Sequence, residues 1–189
     1  MRPSGPPDGR GPPTPMQIFS RSLNKLPQMV GAAATLGLDC RYCHVNVERS
    51  PMAMVPPTET CMNCHQLVKT DSAELAPIRD SWANDTAMQW VRIHKLADYV
   101  YFDHSVHVTA GVGCIECHGR IDQMEQVHME KPLSMGWCLD CHRDVKQKQG
   151  DSEHIRPVAQ MTNMEWKHEG HVDTPRTLNP PENCWGCHR

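Results

Sequence analysis

All ten cysteines of this 189-residue chain lie in five copies of one motif, Cys-x-x-Cys-His. The motif keeps the same spacing each time and leaves no cysteine for another role. With sixteen prolines and twelve glycines, the chain favours short helices joined by loops over long regular elements. The five copies span residues 40–44, 61–65, 114–118, 138–142 and 184–188.

Cys-x-x-Cys-His is the attachment signature of c-type haem. Its two thiols form thioethers with the haem vinyl groups, and the histidine becomes the proximal ligand of the iron. We therefore predict five covalent haem c groups. The predicted attachment residues are Cys40, Cys43, Cys61, Cys64, Cys114, Cys117, Cys138, Cys141, Cys184 and Cys187. The predicted proximal ligands are His44, His65, His118, His142 and His188.

Three other uses of Cys-x-x-Cys fit the pattern less well. A zinc ribbon takes such pairs two at a time, and five is an odd number. A thioredoxin-like redox motif normally occurs once in a chain. A disulfide framework has no reason to repeat one spacing so strictly.

The spacing of the motifs indicates an internal repeat. Successive first cysteines are 21, 53, 24 and 46 residues apart, which alternates short and long intervals. Each long interval contains an aromatic-x-His-x-x-His element, at residues 102–107 and again at 166–171. The repeating unit is therefore this element, one haem motif and, where complete, a second haem motif.

The aromatic-x-His-x-x-His elements are expected to supply distal axial ligands. Two histidines three residues apart on a helical turn can reach two neighbouring irons. His94 is a further candidate, at the end of a helix predicted to start near Ser81, whereas His128 and His154 are expected to be solvent-exposed. The distal candidates are thus His94, His104, His107, His168 and His171, with Met135, Met52 and Met54 as possible thioether ligands.

The composition bears on the core and on partners. Only 39% of residues are hydrophobic and only two are Phe, so we expect the porphyrins to form the core and to lie close enough to pass electrons. No basic run or aromatic-interleaved basic patch is present, which argues against nucleic-acid binding. Acidic residues beside the motifs, namely Glu116, Asp140 and Asp144, are expected to be solvated.

The amino-terminal part differs from the rest. Residues 1–15 form a Pro/Gly-rich tail that we expect to be disordered. Residues 16–38 carry basic residues before a short apolar run, which predicts a membrane-anchor remnant or partial transmembrane segment. The haem domain follows at 39–189. The repeat predicts a His-x-x-His before Cys40, yet the first histidine is His44. A segment missing after about Ala34 would explain both the short anchor and the absent ligands.

Several runs between and around the motifs resemble one family. They are LGLDCRYCH at 36–44, CMNCH at 61–65, WVRIHKLADYVYFDHSVH at 90–107 and PLSMGWCLDCHR at 132–143. In this order they resemble the pentahaem cytochrome c subunit of bacterial alternative complex III, over about residues 36–189. The resemblance implies a mostly irregular fold with short α-helices, like the class III multihaem cytochromes, wrapped around five haems.

The resemblance also implies a function. The chain would relay electrons within a membrane-bound quinol oxidoreductase that includes an iron–sulfur subunit, on the periplasmic side of the bacterial cytoplasmic membrane. Its acceptor would be a periplasmic cytochrome c, a blue-copper protein or a terminal oxidase, and the subunit would not itself be an enzyme. Two alternatives stay open: a free periplasmic multihaem electron shuttle and a multihaem reductase with one open iron.

Overall fold

The computed structural model describes residues 36–124, 126–174 and 176–188. Short helices alternate with long irregular segments, in keeping with the expected fold class. The predicted tail at 1–15 and nearly all of the predicted anchor at 16–38 lie outside the described residues. Within those residues no helix combines the length and apolar character needed to cross a membrane. The α-helices are α1 (Cys40–Cys43), α2 (Thr58–His65), α3 (Ala76–Asn84), α4 (His104–Thr109), α5 (Cys114–His118), α6 (Met135–Lys148) and α7 (Cys184–Cys187).

Both cysteines of every Cys-x-x-Cys-His motif lie on a helix, and the helices fall into two kinds. α1, α5 and α7 begin at the first cysteine of the motif, whereas α2 and α6 begin three residues before it. Side chains cap several of these helices: Asp39 accepts from the Arg41 N–H, and Asn183 accepts from the Gly186 N–H. Such caps satisfy N–H groups that have no partner within the helix. The alternation of short and long intervals between the motifs therefore corresponds to an alternation in where the helices start relative to the first cysteine.

The helix predicted to run from near Ser81 to His94 is wrong in its extent. α3 begins at Ala76, with Pro77 in its first turn, and ends at Asn84. Asp85 then adopts a left-handed conformation at φ 49°, and its N–H donates to the Ser81 carbonyl, which ends the helix. His94 lies in the irregular segment that follows.

The two aromatic-x-His-x-x-His elements fold differently. The first is helical, because the Asp103 carboxylate accepts from the N–H groups of Ser105 and Val106 and so caps α4. The second is irregular, contrary to the expectation of a helical turn. Lys167 occupies the capping position there and offers no acceptor, and Gly170 adopts φ +105°.

The polypeptide core is small. Val145, Ile155 and Leu178 form its buried centre, and Ile155 also makes an isolated antiparallel bridge with Val112. In the described part of the chain, β-structure is limited to isolated bridges of this kind. Few apolar residues are buried, which agrees with a chain whose composition is poor in core-forming side chains. The core lies between α6 and the segments after α4 and α6.

Candidate haem sites

Four of the five motif histidines share one hydrogen-bonding pattern. The Nδ1 atom of each lies within hydrogen-bond distance of a backbone carbonyl oxygen. Because a carbonyl can only accept, the proton is on Nδ1, and Nε2 keeps its lone pair for a metal. The pairs are His44 with Met54 at 2.6 Å, His65 with Val68 at 3.2 Å, His142 with Pro181 at 2.6 Å and His188 with Tyr99 at 3.2 Å.

The histidines of α4 show the same pattern. His104 Nδ1 donates to the Pro51 carbonyl at 2.7 Å, and His107 Nδ1 donates to the Asp103 carbonyl at 2.7 Å. Burial lowers the pKa of His107, which keeps the ring neutral and its Nε2 available. In both side chains Nδ1 is therefore engaged by a backbone carbonyl, and Nε2 is the ring nitrogen left to bind a metal.

Each histidine of α4 faces a motif histidine. The ring centres of His104 and His118 are 6.3 Å apart with nearly parallel planes, and those of His107 and His142 are 6.2 Å apart. Two imidazoles bound through Nε2 to opposite sides of one metal ion, with bonds of about 2 Å, have ring centres roughly 6 Å apart. Both pairs therefore have the spacing that axial ligation of a haem iron requires, and the residues fit the group.

Phe102 explains the aromatic residue that recurs ahead of His-x-x-His. Its ring stacks on His107 at a centroid distance of 4.4 Å and meets the edge of His104 at 4.8 Å. One aromatic side chain thus restricts the orientation of both imidazoles. Trp166 has a similar but looser relation to His168, at 5.7 Å edge to face.

The half-buried rings of His118 and His94 lie in contact with each other. Burial and the neighbouring rings of His94, His104 and His44 lower the pKa of His118 to about 4. The His94 ring meets His118 edge to face at 4.4 Å. His118 Nδ1 and His94 Nε2 are both buried without a hydrogen-bond partner. A buried polar atom of this kind needs a partner, and metal ligation through Nε2 would provide it for His94.

The second His-x-x-His element is less complete. His168 Nδ1 is buried without a partner, whereas His171 is exposed and its Nδ1 donates to the Asp151 carboxylate at 2.9 Å. In the part of the chain that the structure describes, neither ring faces a motif histidine as His104 and His107 do. Their assignment as distal ligands stays a prediction.

The remaining ligand candidates are mostly exposed. Met135 and Met52 lie largely at the surface. Met54 is near His44, but it contacts that ring through its carbonyl oxygen rather than through its thioether. His128 is exposed, as expected, whereas His154 is half-buried against a carboxylate and the expectation of exposure is wrong for it.

The cysteines are all free, without disulfide bonds. Burial raises the pKa of Cys117 to about 12 and that of Cys141 to about 11. The hydrogen bond between the Cys40 and Cys114 thiols raises the pKa of Cys40. Ten free thiols held in half-buried or exposed positions are available for thioether formation.

A buried charge cluster was missed by sequence reasoning. Arg156 is only 2% exposed, and its Nη2 donates to a Glu116 carboxylate oxygen at 2.6 Å. The other Glu116 oxygen accepts from His154 Nδ1 at 3.1 Å.

The expectation that Glu116 is solvated is therefore wrong. It is also wrong for Asp144, whose carboxylate accepts from Ser152 and pairs with Lys148. Asp140 is exposed as expected. Nothing local in the sequence marks Arg156, since its partner lies 40 residues away.

Comparisons with known proteins give two similarities. A family model described as cytochrome c7 and related cytochrome c matches residues 100–189, which include α4 to α7 and the last three motifs. The multihaem cytochrome c subunit of menaquinone reductase from Nitratidesulfovibrio vulgaris is 24% identical over 164 residues, 81% of this chain and 70% of that protein. Both similarities are to haem-bearing cytochromes c.

Proposed function

We propose that this chain is a pentahaem cytochrome c that relays electrons within a membrane-bound quinol oxidoreductase. The observation that carries the proposal is the pair of matched distances, 6.3 and 6.2 Å, between α4 histidines and motif histidines. One helix thus presents two imidazoles to two adjacent attachment motifs. The similarity to a menaquinone reductase subunit supports the quinone-linked complex.

The residues have distinct roles in this proposal. The ten motif cysteines would hold five haems covalently, and the five motif histidines would be ligands of the irons. His104 would share a site with His118, and His107 would share a site with His142. His94, His168 and His171 supply distal ligands for the remaining sites, with Met52, Met54 and Met135 as the alternatives.

Haem c supplies a one-electron ferric–ferrous couple. The protein engages the Nδ1 atoms of four motif histidines and of both α4 histidines with backbone carbonyl oxygens, which would leave Nε2 as the ligating atom. No bond is made or broken in substrates at this subunit. The donor and acceptor are other proteins of the respiratory chain: an iron–sulfur subunit on one side, and on the other a periplasmic cytochrome c, a blue-copper protein or a terminal oxidase. We place the chain at the periplasmic face of the bacterial cytoplasmic membrane, held there by an anchor.

The intact mass of the native chain, extracted from membranes with detergent, tests the cofactor count. The native chain is expected to be heavier than its own haem-free polypeptide by five haems. Carbon monoxide should leave the visible spectrum of the reduced protein unchanged, because six-coordinate haems have no open position. A mass without haem would overturn the proposal, and carbon monoxide binding would favour a multihaem reductase.

Variants at single histidines test the ligand assignment. His107→Met should give one haem the charge-transfer band of methionine ligation and a higher reduction potential. His128→Gln is the matched control, since His128 is exposed and its Nδ1 hydrogen bond runs only to the nearby Gln126 carbonyl. If both variants keep the wild-type spectrum and potentials, His107 is not an axial ligand.

A further inference from the structure

The first two motifs contact each other directly. The Asn63 side-chain amide donates to the Tyr42 hydroxyl at 3.3 Å, and each residue lies between the two cysteines of its motif. The second motif therefore lies beside the first.

The first motif also contacts the third, although the second comes between them in sequence. Thr162 Oγ1 donates to the Asp39 carboxylate, which caps α1, at 2.8 Å. The neighbouring Met161 carbonyl accepts from the N–H of Cys114 at 3.3 Å. One short segment thus binds the starts of both motifs and holds Cys40 against Cys114.

The third, fourth and fifth motifs follow in order. α4 joins the third to the fourth, because His104 faces His118 and His107 faces His142. His142 Nδ1 donates to the Pro181 carbonyl, and Asn183 two residues later caps α7 of the fifth motif. The fourth and fifth motifs are thereby adjacent.

Exposure of the cysteines agrees with this order. Cys64 of the second motif and Cys184 of the fifth are exposed, whereas the other eight cysteines are half-buried. We infer that the five attachment motifs are arranged in space as second, first, third, fourth and fifth, so that the second and fifth are the two ends of the array. The order along the chain would instead make the first motif an end.

The inference rests on the proposed function, since it describes the path of the relay. An electron that enters at one end, from a reduced one-electron carrier, leaves at the other to an oxidised one-electron carrier, with no net change in the chain. A haem at the second motif has one neighbour, at the first motif. A haem at the first motif has two neighbours.

Paired deletion of attachment cysteines tests the order in the full-length protein. The double variant Cys40→Ala, Cys43→Ala should isolate the haem of the second motif. In the all-ferric state, a neighbouring ferric haem speeds up the electron-spin relaxation of a haem. One of the four remaining haems should therefore relax slowly, which microwave power saturation of its electron paramagnetic resonance signal measures. Cys61→Ala, Cys64→Ala is the matched control and should leave all four haems coupled. The opposite result, with isolation only in the second variant, would overturn the inference.

A variant that leaves every Cys-x-x-Cys-His motif intact provides a second test. His104→Met should raise the potential of the haem at the third motif, which is then reduced first. The added electron should lower the midpoints of the haems at the first and fourth motifs, followed by nuclear magnetic resonance during a redox titration. A shift at the second motif instead of the first contradicts the order. The haem content of the wild type separates the two failures: fewer than five haems rejects the proposed function, whereas five haems coupled differently reject only the order.

Discussion

Replacement of Arg156 by methionine is expected to lower the free energy of unfolding by about 3 kcal/mol. The guanidinium is 2% exposed, donates to Glu116 at 2.6 Å and lies 4.8 Å from the centre of the Trp166 ring. Breaking a buried ion pair costs about 3–5 kcal/mol, because the remaining charge stays desolvated, and loss of the cation–π contact adds about 0.5–1 kcal/mol. The lower end applies, since Glu116 is 22% exposed and keeps its bond to His154.

Urea denaturation followed by circular dichroism measures this loss. A double-mutant cycle with Glu116→Gln should give a coupling energy of about 2 kcal/mol, because the double variant leaves no unpaired charge. Arg120→Met is the control: Arg120 also pairs with two carboxylates, Asp122 and Glu165, but its side chain is 33% exposed rather than 2%, and its loss should have a smaller effect. If Arg156→Met costs no more than Arg120→Met, the buried pair does not stabilise the fold and the reasoning is refuted.

Two further predictions concern the helix caps. Asp103→Ala should destabilise α4 by about 1 kcal/mol through loss of the cap, and it should broaden the low-spin signals of the haems that His104 and His107 are proposed to ligate. Asp103→Asn should keep both the stability and the signals near wild type. Equal behaviour of the two variants in urea titrations and electron paramagnetic resonance would contradict this. The Arg41 hydrogen bond lowers the pKa of Asp39 from 3.8 to about 2, so the ionised carboxylate stabilises the fold above about pH 4 and this contribution is lost as the pH falls towards 2. Asp39→Asn should therefore remove about 1 kcal/mol of stability at pH 6, after allowance for solvent screening, and nothing at pH 2; thermal melts at both pH values check the difference, and an equal loss at both would contradict it.

The sequence predicted local structure where short-range chemistry decides it. The helical turn at His104 and His107 follows from the Asp103 cap directly before it. The same argument, applied to the cap position, would have shown that the second His-x-x-His lacks a helix start, because Lys167 accepts no hydrogen bond. The helix predicted to reach His94 failed for a similar reason, since Asp85 turns the chain left-handed after Asn84.

The sequence only partly predicted which histidine rings lie opposite each other. Spacing alone indicated that His104 and His107 would serve two neighbouring sites. It did not indicate that the rings of His118 and His142 would lie opposite them, because that arrangement depends on how the loops fold back on α4. Phe102 shows the same limit: its recurrence is visible in sequence, but its stacking against both rings is visible only in the structure.

The sequence by itself determined the five Cys-x-x-Cys-His motifs and their histidines, because each motif lies within five consecutive residues, and the spacing of the motifs determined the short-long repeat. Tertiary structure alone decided which motifs are neighbours and which charges are buried. Asp39 meets Thr162 across 123 residues, and Arg156 meets Glu116 across 40. Contacts between residues so far apart in sequence depend on the path of the whole chain. The free energy of closing a loop changes only slowly with its length, so local sequence does not reveal which distant segments meet.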